Sequence, residues 1–282
     1  MIRVEDVGFA YGSQPPAIDG LSFEIAKGEI FGFLGPSGAG KTTTQKILLK
    51  LLKGYSGTIE VMGRPLASWG RAYFQKIGVC FEFPSNYAKL TALENLRFFA
   101  GFFSGPTADP MQLLEEVGLG HAANQRVEQF SKGMQIRLNV ARSLLNNPEL
   151  LFLDEPTAGL DPANARAIRD LIARRRDEGA TVFLTTHDMA VAEALCDRVG
   201  LLVHGRLAAL DAPRTLRLAH GERKVEISYV LEGQPGTEIF DLDGLDTNER
   251  FTHLLHNAHI ETLHTLEPTL DDVFIKLAGR TS

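Results

Sequence analysis

The sequence predicts an α/β fold with a mostly parallel sheet, a helical insertion and a small α+β appendage. Two nearly pure apolar segments, ELLFLDE and ATVFLTTH, lie among helical patterns, and buried strands that alternate with helices are typical of a parallel sheet with right-handed crossovers. Residues 83–147 show only helix and loop signals, which indicates a helical subdomain between strands of the core. The pattern changes after about Gly221, so we expect a core domain at residues 1–220 and an accessory domain at residues 221–282.

The core strands are marked by short apolar runs between turns that are rich in glycine and proline. Four runs precede the insertion, and a fifth, KIGVCF, leads into it. The four are, in order, IRVEDVGFAYG, LSFEIAKGE, IFGFLGPSG and GTIEVMG. In the appendage, VEISYVLEG, GTEIFDL and IETLHTL indicate strands, a helix is predicted at about residues 248–257, and PTLDDVFIKLAG follows.

The helices are recognised by their start signals. Thr91 and Glu94 have the spacing of a capping box, and Pro162 occupies a first-turn position where its missing N–H is harmless. The candidates are, in order, TTTQKILLKLL, TALENLRFFAGFF, DPMQLLEEVG, KGMQIRLNVARSLL and DPANARAIRDLIARRR.

The composition is that of an ordinary globular protein. Of 282 residues, 44% are hydrophobic and 23% are charged, and no run of eighteen apolar residues indicates a membrane span. The start, MIRVEDVGFAYG, lacks the order of a signal peptide, so we expect a soluble cytoplasmic protein. Cys80 and Cys196 lie far apart without metal-ligand spacing, and we expect buried thiols rather than a disulfide.

The formal net charge of −6 is unevenly distributed along the chain. Residues 221–282 carry 5 Lys and Arg against 12 Asp and Glu, whereas the remaining residues carry 24 against 23. Nucleic-acid binding draws mainly on Lys and Arg side chains that neutralise phosphates. A nearly neutral core with an acidic appendage therefore argues against a nucleic-acid partner.

A glycine-rich loop follows the apolar strand IFGFL and precedes a helical pattern, which is the context of a phosphate-binding loop. Its glycines let backbone N–H groups face phosphates, Lys41 reaches the β- and γ-phosphates of a bound nucleotide, and Thr42 offers its hydroxyl to Mg²⁺. A plain glycine-rich turn is the weaker alternative. The predicted nucleotide contacts are Gly35, Pro36, Ser37, Gly38, Ala39, Gly40, Lys41, Thr42 and Thr43.

Two consecutive carboxylates, Asp154 and Glu155, end the strand ELLFLDE. Alone, this pattern indicates a strand that runs into solvent. Together with the glycine-rich loop, it predicts that Asp154 holds Mg²⁺ and that Glu155 is the general base for the attacking water.

Three further segments follow the glycine-rich loop along the chain: FSKGM at Phe130–Met134, LFLDEPTAGLD at Leu151–Asp161 and TTHD at Thr185–Asp188. In the order and spacing of these segments, the chain resembles the ABC ATPase family over about residues 2–215. The resemblance implies a P-loop core in which an antiparallel β-subdomain accompanies the mostly parallel sheet. It also implies a head-to-tail dimer of two copies with ATP and Mg²⁺ at the interface.

The resemblance assigns roles to further residues. Ser131 and Gly133 are implied to contact the γ-phosphate bound by the partner copy, His187 to contact the γ-phosphate and orient the base, Tyr11 to stack on adenine, and Asp161 to bridge the dimer. From the residues alone, Ser131 is also a good helix N-cap, His187 a structural residue at a strand end, and Tyr11 a strand-end aromatic.

Two positions depart from the family's pattern. Glu82 stands where the family usually has Gln, and Gln75 cannot replace it because it precedes the strand. Glu82 keeps an oxygen for Mg²⁺ but adds negative charge beside the γ-phosphate, so we expect it at the catalytic site with altered turnover or Mg²⁺ dependence. Lys132 replaces a Gly; it would help to bind the partner's ATP, or be a solvated lysine.

Four histidines of the appendage invite a metal interpretation, which their spacing does not support. They drift around a helix rather than converge, and no cysteine is close, so solvated or capping roles are expected. They are His253, His256, His259 and His264.

The function that the resemblance implies is ATP hydrolysis coupled to transport through separate integral membrane permease subunits, at the cytoplasmic face of the membrane. FSKGM and the ending EPTLDDVFIKLAGR are similar to the bacterial drug- and lipid-export branch, so export is expected. The aromatic segment FPSNYAKLTALENLRFFAGFF lies where the family docks the permease, although a buried core would explain part of it. The alternative is a soluble ABC ATPase that acts on nucleic acid or ribosomes; a P-loop kinase or GTPase leaves FSKGM and TTHD unexplained.

Overall fold

Three sheets organise residues 1–279, the part of the chain that the computed structural model describes. The strands are β1 (Ile2–Ala10), β2 (Pro16–Ile25), β3 (Ile30–Leu34), β4 (Ser56–Val61), β5 (Arg64–Pro65), β6 (Ile77–Cys80), β7 (Leu150–Asp154), β8 (Thr181–Thr186), β9 (Arg198–Val203), β10 (Arg206–Asp211), β11 (Lys224–Leu231), β12 (Gln234–Asp241) and β13 (His259–Leu266). The helices are α1 (Lys41–Leu48), α2 (Ala92–Ala100), α3 (Pro110–Glu116), α4 (Lys132–Ser143), α5 (Pro162–Asp177), α6 (Met189–Leu195), α7 (Pro213–His220), α8 (Glu249–Asn257) and α9 (Leu270–Ala278).

The largest sheet has the strand order β10-β9-β3-β8-β7-β6, in which all pairs are parallel except that of β10 with β9. β3, β7 and β8 are buried along their whole length, as expected for strands covered on both faces. Because the strands are parallel, the ends of β3, β6, β7 and β8 meet at one edge of the sheet, where ligands bind in open α/β sheets. The predicted mostly parallel α/β core is confirmed.

An antiparallel sheet of order β2-β1-β4-β5 packs against this core. Phe23 on β2 stacks on Phe31 of β3 with ring centroids 5.4 Å apart, and it also contacts Phe33 and Phe183. These buried aromatic rings join the two sheets into one hydrophobic core. The antiparallel β-subdomain that the sequence resemblance implied is therefore present.

The helical insertion lies between β6 and β7 and contains α2, α3 and α4. The predicted capping box of α2 is formed, because Thr91 accepts a hydrogen bond from the Glu94 N–H and the Glu94 carboxylate accepts one from the Thr91 N–H. The C-terminal end of α4 lies close to β6: a Cβ atom on Gly78 would fall 2.0 Å from the Ser143 carbonyl oxygen. Only glycine permits this approach.

Met1–Ala212 form one compact unit, and a second unit begins at Pro213. In the second unit, β12, β11 and β13 form a sheet whose apolar face, including Val225 and Ile227, packs with Phe251 and Leu254 of α8. The division falls earlier than the boundary expected after residue 220, because α7 packs against α9 and belongs to the second unit.

Cys80 and Cys196 are buried free thiols, as predicted. In the described part of the chain, every helix is too short or too polar to cross a membrane.

Candidate functional site

The loop between β3 and α1 depends on glycine at specific positions. Gly35, Gly38 and Gly40 have φ angles of 154°, 82° and 110°, which side-chain-bearing residues rarely adopt. A Cβ atom on Gly35 would lie 2.4 Å from the Leu202 carbonyl oxygen, and one on Gly40 would lie 2.7 Å from that of Ala17. The loop therefore keeps its backbone close to neighbouring chain segments and turns directly into α1.

Lys41 is the first residue of α1, and its ammonium group lies over the loop. Its Nζ atom donates hydrogen bonds to the carbonyl oxygens of Gly35 (2.5 Å) and Pro36 (3.1 Å). Burial lowers the pKa of Lys41, and the nearby carboxylates of Glu155, Asp154 and Glu82 oppose that shift. A partly desolvated cation at a helix N-terminus is suited to bind an anion.

Asp154 ends β7 in an almost fully buried position, with a relative exposure of 6%. Its carboxylate accepts a hydrogen bond from the Thr185 hydroxyl (2.5 Å), which lies opposite it on β8. Burial raises the pKa of Asp154, and the hydrogen bond from Thr185 works against that rise. The carboxylate is thus rigidly placed and in an environment that favours a nearby cation.

Glu155 is held from three directions. Its Oε1 atom accepts a hydrogen bond from the His187 N–H (2.8 Å) and lies 2.6 Å from Nδ1 of the His187 ring. Its Oε2 atom accepts a hydrogen bond from the Thr186 hydroxyl (2.9 Å). The backbone of Glu155 has φ of 48°, which turns the chain sharply after the strand. This environment fixes the orientation of the carboxylate.

A cavity of about 260 Å³ joins these groups. It brings together the predicted phosphate-binding loop, the predicted base and its histidine, and Glu82, which follows β6 at the same sheet edge. Gly35, Pro36 and Ala39 belong to the loop but do not form the cavity wall. The lining residues are Ser37, Gly38, Gly40, Lys41, Thr42, Thr43, Glu82, Asp154, Glu155 and His187.

The cavity contains oxygen ligands of the kind that Mg²⁺ prefers, namely the Thr42 hydroxyl and the carboxylates of Asp154 and Glu82. Among residues 1–279, no group of three or more His, Cys, Asp and Glu side chains could hold a metal ion alone. Mg²⁺ is usually bound by one or two carboxylates together with substrate phosphates. The residues present therefore fit a magnesium ion that arrives with a nucleotide.

Tyr11 lies next to the loop, just after β1. Its hydroxyl is 3.3 Å from the Thr43 hydroxyl, and its ring packs edge-on against Phe9. The side chain is 41% exposed, so part of the ring remains accessible beside the phosphate-binding loop.

The remaining predicted contact residues lie outside the wall of this cavity. Ser131 caps α4 by accepting a hydrogen bond from the Met134 N–H (3.2 Å), and Asp161 caps α5 through the Asn164 N–H (3.0 Å). Lys132 and Gly133 begin α4, and the Lys132 side chain lies beside the turn at Gly159. Ser131, Lys132, Gly133 and Asp161 are thus near one another but do not line the cavity of their own chain.

Thr186, which had no role assigned from the sequence, donates a hydrogen bond to the Glu155 carboxylate. The only signal was its place in the TTHD segment at the end of a strand. Because β8 is buried on both faces, no alternation distinguished Thr186 from its neighbours.

The site has the features of a P-loop nucleoside triphosphatase. A glycine loop leads into a helix, a lysine lies over that loop, and carboxylates stand at the ends of adjacent parallel strands. Comparison with known proteins narrows this class. Residues 18–158 match the family described as ABC transporter, and residues 223–267 match the family described as fluoroquinolone efflux ABC transporter C-terminal domain.

Similar proteins extend over nearly the whole chain. The fluoroquinolones export ATP-binding protein of Mycobacterium tuberculosis is 52% identical over 284 residues, covering 99% of this chain and 94% of the relative. The bacitracin transport ATP-binding protein of Bacillus licheniformis is 42% identical over 304 residues, covering 99% and 97%.

Two solved structures share the fold. The structure of an ATP-binding subunit of an ABC transporter has a TM-score of 0.71 and 30% identity, covering 78% of this chain and 93% of that one. A dimeric ATP-binding cassette in a post-hydrolysis state with ADP and Pi has a TM-score of 0.68 and 28% identity, covering 75% and 98%. The chain belongs to the ABC transporter family, and it is an ATP-binding and ATP-hydrolysing subunit of such a transporter. The family resemblance noted in the sequence is confirmed.

Proposed function

We propose that two copies of this chain form a head-to-tail dimer that binds two ATP molecules at its interface and drives export through integral membrane subunits at the cytoplasmic face of the membrane. The dimeric cassette structure supports the dimer. The export direction is supported by relatives that are named for export, including the mycobacterial protein at 52% identity.

The observation that carries the catalytic proposal is the fixed carboxylate of Glu155 at the cavity. Glu155 accepts a proton from the water that attacks the γ-phosphate. His187 and Thr186 hold the carboxylate in orientation, and Lys41 with the loop N–H groups binds the β- and γ-phosphates. Hydrolysis then depends on positioning and charge rather than on a covalent intermediate.

Thr42, Asp154 and Glu82 are the residues that hold Mg²⁺ in this proposal. The ion neutralises negative charge on the phosphates when it is bound. Glu82 contributes a carboxylate where the sequence resemblance leads us to expect an amide, so the charge at this site is more negative and its dependence on Mg²⁺ is stronger.

The remaining nucleotide contacts are divided between the two copies. Tyr11 stacks on the adenine bound by its own chain, where its partly exposed ring lies beside Thr43. Ser131, Lys132 and Gly133 contact the ATP of the partner copy, and Asp161 lies at the dimer interface. Their location outside the cavity of their own chain supports this division.

The membrane subunit docks on an aromatic groove of about 390 Å³ beside the helical insertion. Phe74, Phe99, Phe102 and Phe103 line the groove, and Phe102 is 63% exposed. Exposed aromatic side chains in a groove suit the apolar face of a short cytoplasmic helix.

Fluoroquinolones are the first cargo to test, because of the mycobacterial relative and the matching C-terminal domain.

The proposal is tested by replacing Glu155 with Gln, which removes the base but keeps its size. We expect the ATPase rate to fall by about 10²–10⁴-fold. ATP binding should persist and stabilise the closed dimer, so size-exclusion chromatography with ATP and Mg²⁺ should show a dimer. A second replacement, Lys41→Ala, should return the protein to a monomer. Hydrolysis at the parental rate would contradict the role of Glu155, and an inactive protein that stays monomeric in saturating ATP would contradict the autonomous dimer.

A further inference from the structure

A buried amide joins the helical insertion to the segment that carries Glu82. Asn139 on α4 has no exposed surface, and its Nδ2 atom donates hydrogen bonds to the Phe81 carbonyl oxygen (2.8 Å) and to Sγ of Cys80 (3.2 Å). Phe81 directly precedes Glu82. A buried amide is costly unless its hydrogen bonds are satisfied, so this contact strongly favours one position of the Phe81 carbonyl.

Arg142, one turn further along α4, completes the connection. Its Nη2 atom donates to Oδ1 of Asn139 (2.5 Å), which fixes the amide with its NH₂ group towards Phe81. Its Nη1 atom donates to the Ser85 carbonyl oxygen (2.7 Å) and to Oδ1 of Asn86 (3.3 Å). The guanidinium group also lies 4.6 Å from the centre of the Phe99 ring.

The two carbonyl groups that α4 holds lie on either side of Glu82 in the chain. The backbone between residues 81 and 85 therefore cannot shift without breaking hydrogen bonds to Asn139 or Arg142. Since Ser131 caps the start of the same helix, α4 connects the Ser131 end to the Glu82 side of the cavity.

We propose that Asn139 and Arg142 are positioning residues that hold Glu82 at the Mg²⁺ and γ-phosphate site and make its position depend on α4. This inference rests on the proposed role of Glu82. It concerns residues that do not line the cavity and act only through the segment of residues 81–86.

The sign of the effect of Glu82 on ATP binding depends on Mg²⁺. Without the ion, the carboxylate repels the phosphates; with it, the carboxylate helps to hold the ion between itself and the phosphates. Removing Glu82 should therefore tighten ATP binding in EDTA and weaken it in Mg²⁺. A variant that keeps Glu82 but frees the backbone that holds it should change the ATP affinities in EDTA and in Mg²⁺ in the same directions, by a smaller factor.

The experiment measures ATP affinity of the isolated full chain by titration, once in EDTA and once in Mg²⁺. For Glu82→Ala we expect changes of about fivefold in opposite directions. Asn139→Ala should also tighten ATP binding in EDTA and weaken it in Mg²⁺, each by about twofold. In the Glu82→Ala background, it should cause no further change in either affinity. Asn139→Asp, which keeps the size but loses the donors, replaces Asn139→Ala if that variant does not fold.

Asn95→Ala is the matched control. Asn95 is an equally buried amide of the insertion, but its hydrogen bonds go to the backbone of Tyr87, Leu90 and Thr91. It should leave both affinities of the folded protein unchanged.

Three outcomes would overturn the inference. If Asn139→Ala lowers both affinities equally, or acts fully in the Glu82→Ala background, Asn139 has a general structural role. If Glu82→Ala tightens ATP binding in EDTA and weakens it in Mg²⁺, as expected, but the Asn139 variants change neither affinity, the positioning role fails while the role of Glu82 stands. If Glu82→Ala changes neither affinity, the proposed Mg²⁺ role fails, and the inference fails with it.

Discussion

Thr186 shows how one buried hydroxyl serves the catalytic carboxylate. It is 1% exposed at the end of β8, donates to Glu155 and accepts from the Asp188 N–H. Thr186→Val keeps the shape of the side chain and suits a strand, but it removes the donor to Glu155. We expect the maximal ATPase rate to fall by about tenfold with ATP affinity nearly unchanged, because a hydrogen bond to a charged group is lost.

Steady-state hydrolysis by the purified chain, with ATP affinity measured separately, tests this expectation. Thr186→Ser should retain the rate, since the hydroxyl remains. Thr181→Val is the control at the opposite end of β8, where the hydroxyl accepts from the Gly28 N–H, and it should leave the rate unchanged. A Thr186→Val protein with parental turnover would show that Glu155 is oriented without this hydroxyl.

The sequence predicted some site residues better than others, for a physical reason. Asp154 and Glu155 were predicted from the residues at the end of an apolar strand, and His187 from the family resemblance. All three lie at or just after the ends of parallel strands, which meet at one edge of the sheet. The contact of Asn139 with Phe81 joins positions 58 residues apart through a buried polar side chain. No periodicity marks such a pair, and only the packing of α4 against β6 creates it.

At the scale of a secondary-structure element, Ser131 combines two functions. Its hydroxyl caps α4, and in the proposed dimer it contacts the ATP of the partner copy. Two substitutions separate these functions. Ser131→Ala removes both and should lower the free energy of unfolding by about 1 kcal/mol. Ser131→Asp retains a good cap but places a negative charge against the partner's γ-phosphate, so the stability should be nearly parental and dimerisation lost.

Urea unfolding measures the stability, and size-exclusion chromatography in the Glu155→Gln background with ATP and Mg²⁺ measures the dimer. Gln112→Ala is a suitable control at the start of α3, because it leaves the cap from Asp109 to the backbone intact. A stable Ser131→Asp protein that still dimerises would refute the contact between Ser131 and the partner's ATP.

The helices and strands with strong local signals were those that the sequence predicted. α2, α3 and α5 have capping residues and first-turn signals that match their structure. The hairpin of β9 and β10 and the helices α6 and α7 were not assigned. α6 has seven residues and α7 eight, which is too few for a periodic pattern to be recognised. α3 is equally short, but its Asp109 cap and Pro110 identified its start.

At the scale of the whole molecule, the division after Ala212 separates the nucleotide site from the accessory unit. Every residue of the cavity lies before this point. A chain that ends at Ala212 should therefore bind ATP within about twofold of the full chain, since no contact in the cavity is lost. A chain that ends at His220 keeps α7 without α9, exposes the otherwise buried Leu216, and should melt at the same or a lower temperature despite its greater length.

Circular dichroism melting and ATP titration of the two shortened chains test this division. A folded chain ending at Ala212 that fails to bind ATP would show that the accessory unit contributes to the site. A distinctly higher melting temperature for the chain ending at His220 would place the boundary after α7.

The contact between Gly78 and Ser143 gives α4 a mechanical property. The backbone at this end of the helix packs directly on β6, so the contact can act as a pivot. α4 has twelve residues and is about 18 Å long. A tilt of about 10° would move the Ser131 end by about 3 Å but Asn139, about 6 Å from the pivot, by only about 1 Å. A rotation of α4 about this contact therefore displaces Ser131 about three times as far as Asn139, so a large movement at the start of the helix produces only a small movement beside Glu82.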